Sequence, residues 1–173
     1  MPGVTVDDFN QHGTHCSGTV LALDNTDGVV GVAPRASLII GKVLNNGGYG
    51  LDSWIASGID WAVAQGADVI SMSLGGDTTD QALQDACLNA FNAGVLVVAS
   101  AGNDASANPN YPASYPGVMS ISAVDSASQL ANFSSFGPLV SVTAPGVSVL
   151  STTPTSARPT RSSTSCAAST TTT

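Results

Sequence analysis

Short apolar runs alternate along this chain with stretches that repeat apolar residues at a helical period, and few folds accept that order. SLIIGKVL (37–44), ADVISMSL (67–74) and VLVVASA (95–101) are brief, continuous and bounded by Gly or Pro, and they read as buried strands. Between them, LDSWIASGIDWAVAQG (51–66) places apolar residues at 51, 54/55, 58/59 and 62/63 and stops at Gly66. DQALQDACLNAFNAG (80–94) is a second amphipathic helix, with Asp80 at its start and Gly94 at its end. GVMSISAV (117–124) and VSVT (140–143) add further strands. Strands joined through helices need right-handed crossovers, so the expected fold class is α/β with a mostly parallel sheet.

The 173 residues suit one compact domain, and a hydrophobic fraction of 43% with only 9% charged residues excludes disorder for most of them. The expected boundary lies at residue 150. In 151–173, Ser and Thr fill 15 of 23 positions and the apolar periodicity is gone, so this end reads as an irregular tail. Four basic residues against 12 Asp give a net charge of −8, which disfavours nucleic acid and anionic lipid as partners. The apolar runs fall well short of the roughly 18 residues that a membrane span needs. MPGVTVDDFNQ has neither a basic stretch nor an apolar core, so no signal peptide is expected in this chain. Cys16, Cys87 and Cys166 are an odd number and form no complete disulfide framework.

The chain's two histidines, His12 and His15, fall within HGTHCSGTVLAL, where Gly13 and Gly18 permit a helix to pack closely. An H-x-x-H pair without a third ligand makes a poor zinc site. Cys16 lies on the face of His12 and reads as a packing residue. Asn103, in AGND, directly follows an apolar strand, at the strand end where α/β sheets place ligands. Its amide could stabilise an oxyanion, and an ordinary turn asparagine fits the same position. SLGG (73–76) and GGYG (47–50) expose backbone groups suited to pairing with an extended peptide. A dinucleotide loop at 48–53 fails because Ser53 stands where the third glycine belongs.

Taken together, HGTHCSGTV, GVAP, SLGG, AGN, FSSFGP and APG resemble the subtilisin-like serine proteases (subtilases, peptidase S8) from about Gln11 to Pro154. The resemblance implies a three-layer subtilisin-like fold, its sheet flanked by helices, truncated here at both ends. It implies a serine endopeptidase in which His12 is the general base, Asn103 the oxyanion donor and Ser165 the nucleophile by position. It further implies that Ser73, Leu74 and Gly75 form one wall of the P1 pocket and Ser100, Ala101 and Gly102 the other. Tyr49 and Gly50 would lie on an opposing edge strand, and Leu74 with Ile55 would shape a more distant apolar subsite. A structural calcium ion is implied at Leu23, Asn25, Asp27 and Val29.

Around Ser165, T-S-x-A-A is kept, while Ser163, Cys166 and Ser169 replace the family's Gly, Met or Leu, and Pro. The family's catalytic Asp has no counterpart here, since Asp7 and Asp8 have the wrong spacing and read as solvated loop charges. The expectation is a monomeric fragment of an extracellular enzyme of protein or peptide substrates, itself inactive or weakly active. The alternative is a non-catalytic peptide-binding remnant.

Overall fold

The computed structural model describes residues 7–155. Three helices, α1 (His12–Leu21), α2 (Asp52–Ala64) and α3 (Gln81–Asn92), accompany four strands: β1 (Val69–Met72), β2 (Leu96–Ser100), β3 (Val118–Val124) and β4 (Val142–Pro145). The strands form one sheet in the order β1-β2-β3-β4, and every pairing is parallel. The α/β class expected from the alternating runs is the class observed.

Helices α2 and α3 end alike. Gly66 and Gly94 take φ values of 79° and 84°, and the N–H groups of Ala67 and Val95 reach back to the carbonyls of Ala62 and Ala90. Glycine holds such left-handed turns without a Cβ penalty, so each helix stops and its chain enters the next strand. At the other end of α3 the Asp80 carboxylate accepts from Leu83 N at 2.9 Å, a side-chain cap.

Pairing registers Val69 with Leu96 and Ile70 with Val97, and registered residues of a parallel ladder share a face. On one face, Ile70, Met72, Val97 and Ala99 are buried with Ile55, Ile59, Leu83, Cys87 and Ala90 of the two helices. Val97 is 0% exposed there, while on the opposite face Val69, Leu96 and Val142 are 54%, 42% and 48% exposed.

The run 37–44 departs from expectation. It lies in neither helix nor sheet, and Leu38, Ile39 and Ile40 are exposed. Its β-branched pattern encodes a strand, but no strand among the described residues pairs with it. Only its end is engaged, with Val43 and Leu44 packed against the core. None of the helices is long and apolar enough to cross a membrane.

Candidate functional site

The carboxyl ends of β1 and β2 open onto a cleft lined by Ser73, Ser100, Gly102 and Asn103, together with Ser134 and Gly146. The segment carrying Asn103 is tied down on both sides. Ala101 N donates to Ile121 O at 2.8 Å, Ser135 N to Gly102 O at 3.0 Å, and Ala105 N to Phe133 O at 2.9 Å. The Ser135 hydroxyl accepts from Asp104 N at 3.3 Å. Gly102 has a φ of 108°, and a Cβ there would lie 3.0 Å from Ser135 Oγ, so this position needs glycine twice over. Ser134 is itself buried; its Oγ accepts from Ala123 N at 2.9 Å and donates to Ser135 O at 3.1 Å. The two serines of FSSFGP thus brace Asn103 against the sheet, a role the sequence alone did not assign to them.

Ser73–Gly75 continue β1, which is an edge strand of the sheet. Leu74 is buried in the core, as is Ile55. Gly76 and Tyr111 exchange backbone hydrogen bonds at 2.9 and 2.8 Å. This bridge brings Asn110 beside Gly75. Tyr115 stacks on Tyr111 with ring centroids 4.8 Å apart, and its hydroxyl both donates to Asp80 O and accepts from Asp80 N. That polar contact joins the loop after the cleft to the start of α3.

His12 opens α1, after Gln11 at a φ of 71°. The Asp8 carboxylate accepts from Thr14 N at 2.7 Å, so Asp8 is a helix-capping group and not the solvated loop charge expected of it. Cys16 also differs from expectation: its Sγ is 3.5 Å from His12 Nε2, so it contacts the imidazole besides packing the helix. That contact is the largest influence on His12 and holds its pKa above the ordinary imidazole value, against partial burial and with help from Asp8. His15 is buried and its Nε2 sits 3.2 Å from Val149 O. Ser151 Oγ donates to His15 O and Thr152 Oγ1 to Thr14 O. A Cβ on Gly18 would lie 2.8 Å from Thr152 N, which is why α1 can seat here. α1 is thereby fastened to the chain just beyond β4, whose following residue Gly146 lines the cleft. His12 is not itself a lining residue.

Tyr49 and Gly50 do not form an edge strand. They close a turn in which Asn45 Oδ1 accepts from Gly47 N and Tyr49 N, and Tyr49 is exposed. Leu23, Asn25, Asp27 and Val29, the residues expected to hold calcium, lie in one loop. Residues 23–28 are exposed and Asn25 Oδ1 accepts from Asp27 N at 2.9 Å, an Asx turn, whereas calcium needs six to eight converging oxygens. Among the described residues no group of three or more His, Cys, Asp or Glu is placed to hold a metal. Ser165 lies outside the described residues.

The family model described as the subtilase family, peptidase S8, matches residues 1–173. Subtilisin DY of Bacillus licheniformis is 53% identical over 151 residues, which cover 85% of this chain and 55% of that protein. Thermitase of Thermoactinomyces vulgaris is 44% identical over 159 residues, 91% of this chain and 57% of its own length. The crystal structure of a psychrophilic subtilisin-like protease from Pseudoalteromonas sp. AS-11 superposes with a TM-score of 0.79 at 43% identity, covering 85% of this chain and 34% of that one. The chain therefore spans about half, or less, of the length of the relatives it matches.

Proposed function

The chain belongs to the subtilase family, and from that premise we propose that it carries the base, the oxyanion donor and the substrate walls of an extracellular serine endopeptidase. Peptide hydrolysis by this route runs through an acyl-enzyme. Ser165 Oγ attacks the scissile carbonyl while His12 takes its proton and then delivers it to the leaving amine. The Asn103 amide donates to the oxyanion as charge develops there. The substrate strand lies between Ser73–Gly75 and Ser100–Gly102. The observation that carries this reading is the bracing of Asn103, since an oxyanion donor is effective only if it is held in place before the reaction.

Among the described residues the Asp8 carboxylate is committed to Thr14 N, and the His12 ring is hydrogen-bonded to Cys16. Neither contact is the carboxylate–imidazole pair that sets the tautomer, a pair whose Asp-to-Asn replacement in a serine protease costs about 10⁴ in kcat. The 173-residue chain alone is on this reading a weak or silent hydrolase that still binds peptide. Treatment with a fluorophosphonate followed by peptide mapping tests this, and stoichiometric labelling of Ser165 with turnover of a peptide would refute it.

The roles of His12 and Asn103 are tested in a chimera in which residues 7–155 replace the matching segment of subtilisin DY. There His12→Ala is expected to lower kcat/KM by about 10⁴ or more. Asn103→Leu is expected to lower kcat by about 10²–10³, the loss known for the equivalent donor in subtilisin itself, with the melting temperature unchanged. Unchanged kcat in Asn103→Leu would remove Asn103 from the mechanism.

A further inference from the structure

We propose that Asn46 is a site of spontaneous modification, activated by Lys42, at which the carboxamide closes on Gly47 N, loses ammonia and reopens as aspartate or isoaspartate. Asn46–Gly47 is the single Asn–Gly pair in the sequence. Glycine carries no Cβ beside its nitrogen, so that nitrogen meets the preceding side chain with the least obstruction, and its backbone turns most freely. Residues 45–47 are exposed, so water and hydroxide reach them. Nothing in this chemistry draws on peptide hydrolysis.

Gly47 N gives up its proton to hydroxide and attacks Asn46 Cγ, forming a new C–N bond. The Cγ–Nδ2 bond then breaks, and Nδ2 takes a proton from water and leaves as ammonia. Water adds to either carbonyl of the cyclic imide and breaks one of its ring C–N bonds. Breaking the new bond yields aspartate; breaking the original peptide bond leaves the chain running through Cγ, an isoaspartate. Overall one water replaces one ammonia, and no oxidant or cofactor is needed. The Lys42 ammonium donates to Asn46 Oδ1 at 3.1 Å, the oxygen on which negative charge gathers during the attack. A cation at that oxygen stabilises the tetrahedral intermediate. Lys42 Nζ also donates to Asp7 O at 3.1 Å, and Asn10 Nδ2 donates to Asn46 O at 3.3 Å, so the ammonium and the asparagine backbone are both anchored.

The turn opposes the attack until it opens. Gly47 N donates to Asn45 Oδ1 at 2.8 Å and Tyr49 N to the same oxygen at 3.1 Å, so the attacking nitrogen is engaged with a different side chain. Asn45 N donates to Tyr49 O at 2.8 Å and Gly48 N to Asn45 O at 3.0 Å, which closes the loop around Asn46. Isoaspartate adds one backbone atom inside this closure, and the two bonds then no longer fit together. The displacement reaches the edge of the core: a Cβ on Gly50 would lie 2.7 Å from Val43 O, and Val43 packs against the core. In the aspartate product Lys42 gains a charge-assisted bond in place of its bond to a neutral amide.

The test incubates the 173-residue chain at mildly alkaline pH, with a fluorophosphonate present to exclude proteolysis, and follows each asparagine by peptide mapping. The peptide carrying Asn46 is expected to gain one mass unit before any other asparagine peptide, and part of it to accept methyl label from an isoaspartyl methyltransferase. Lys42→Met is expected to slow the conversion severalfold, less than the roughly 10²–10³ of a preorganised oxyanion donor, because solvent screens the exposed ammonium. Lys42→Arg keeps a cation at Oδ1 and is expected to convert at the parent's rate. Asn45→Ala, which frees Gly47 N, is expected to speed the conversion severalfold. In the isoaspartate form the amide hydrogens of Asn45 and Gly48 are expected to exchange with solvent faster than in the parent. An intact Asn46 while another asparagine converts would overturn the proposal, as would equal rates in the parent and Lys42→Met. Lys42→Arg as slow as Lys42→Met would mean that the lysine acts through the fold and not through its charge, and would overturn its role.

Discussion

The two faces of the parallel sheet are built from the same kind of residue and have different fates. Ile70, Val97 and Ala99 point into α2 and α3 and are buried, while Val69, Leu96 and Val142 stand exposed on the other side. Burial on both faces is the rule for parallel sheets, and the strands are written for it, with apolar residues at successive positions and not only at alternate ones. A run of this kind states that a strand should be covered twice. Which element supplies each cover is a matter of topology.

The largest difference between the faces should appear in stability. Leu83 is 2% exposed on the covered side, and Leu83→Ala is expected to cost about 2–5 kcal/mol through lost burial and the cavity left behind. Leu96→Ala on the open face should cost no more than about 0.5 kcal/mol, as for other surface changes. Urea denaturation of both variants measures the pair. Equal losses would mean that Leu96 is covered in solution and would break the comparison.

The same contrast explains what could be read beforehand. The elements whose partners lie within residues 51–145 follow their patterns closely: α2, α3 and all four strands fall within a few residues of the periodic runs. Run 37–44 has the same β-branched character and forms no strand, because a strand is a pairing and a pattern names no partner. Asn103 was legible from its place after a strand. Its braces Ser134 and Ser135 were not, since their contacts to Ala123, Gly102 and Asp104 cross about 11 to 33 positions of sequence and leave no periodic trace. Asp8 gave a partial signal, an acidic residue shortly before a helix, which is the setting of a capping group.

A smaller effect comes from pH. Cys87 lies on the covered side, and burial pushes its thiol from an ordinary 9.0 up to about 11. Below pH 9 both folded and unfolded chains keep the proton, and the full stability is present. Between pH 9 and about 11 the unfolded chain releases it and the folded chain does not, so stability falls as pH rises. At about 1.4 kcal/mol per pH unit the loss is on the order of 2 kcal/mol across that window. Thermal unfolding from pH 8 to 11 should show this slope in the parent chain and a shallower one in Cys87→Ala. Identical slopes would mean that the covered face admits water around Cys87.

The smallest effect concerns the other described cysteine, which sits in a half-exposed setting beside the candidate base. The raised His12 pKa has the Cys16 contact as its first cause, and partial burial opposes it. Cys16→Ala removes the first and leaves the second, so the imidazole should titrate at lower pH in the variant. The direction follows from the sign of each influence: a group that holds the protonated ring raises its pKa, and lost solvation of the charged ring lowers it. Because a base must be neutral to accept the nucleophile's proton, any hydrolysis in the subtilisin DY chimera should persist to lower pH once Cys16 is replaced. Imidazole resonances followed by NMR across pH 5–9 give the shift directly, without relying on turnover. A His12 titration unmoved in Cys16→Ala would show that the thiol packs the helix without touching the proton equilibrium, and Cys16 would then differ from Cys87 only in depth.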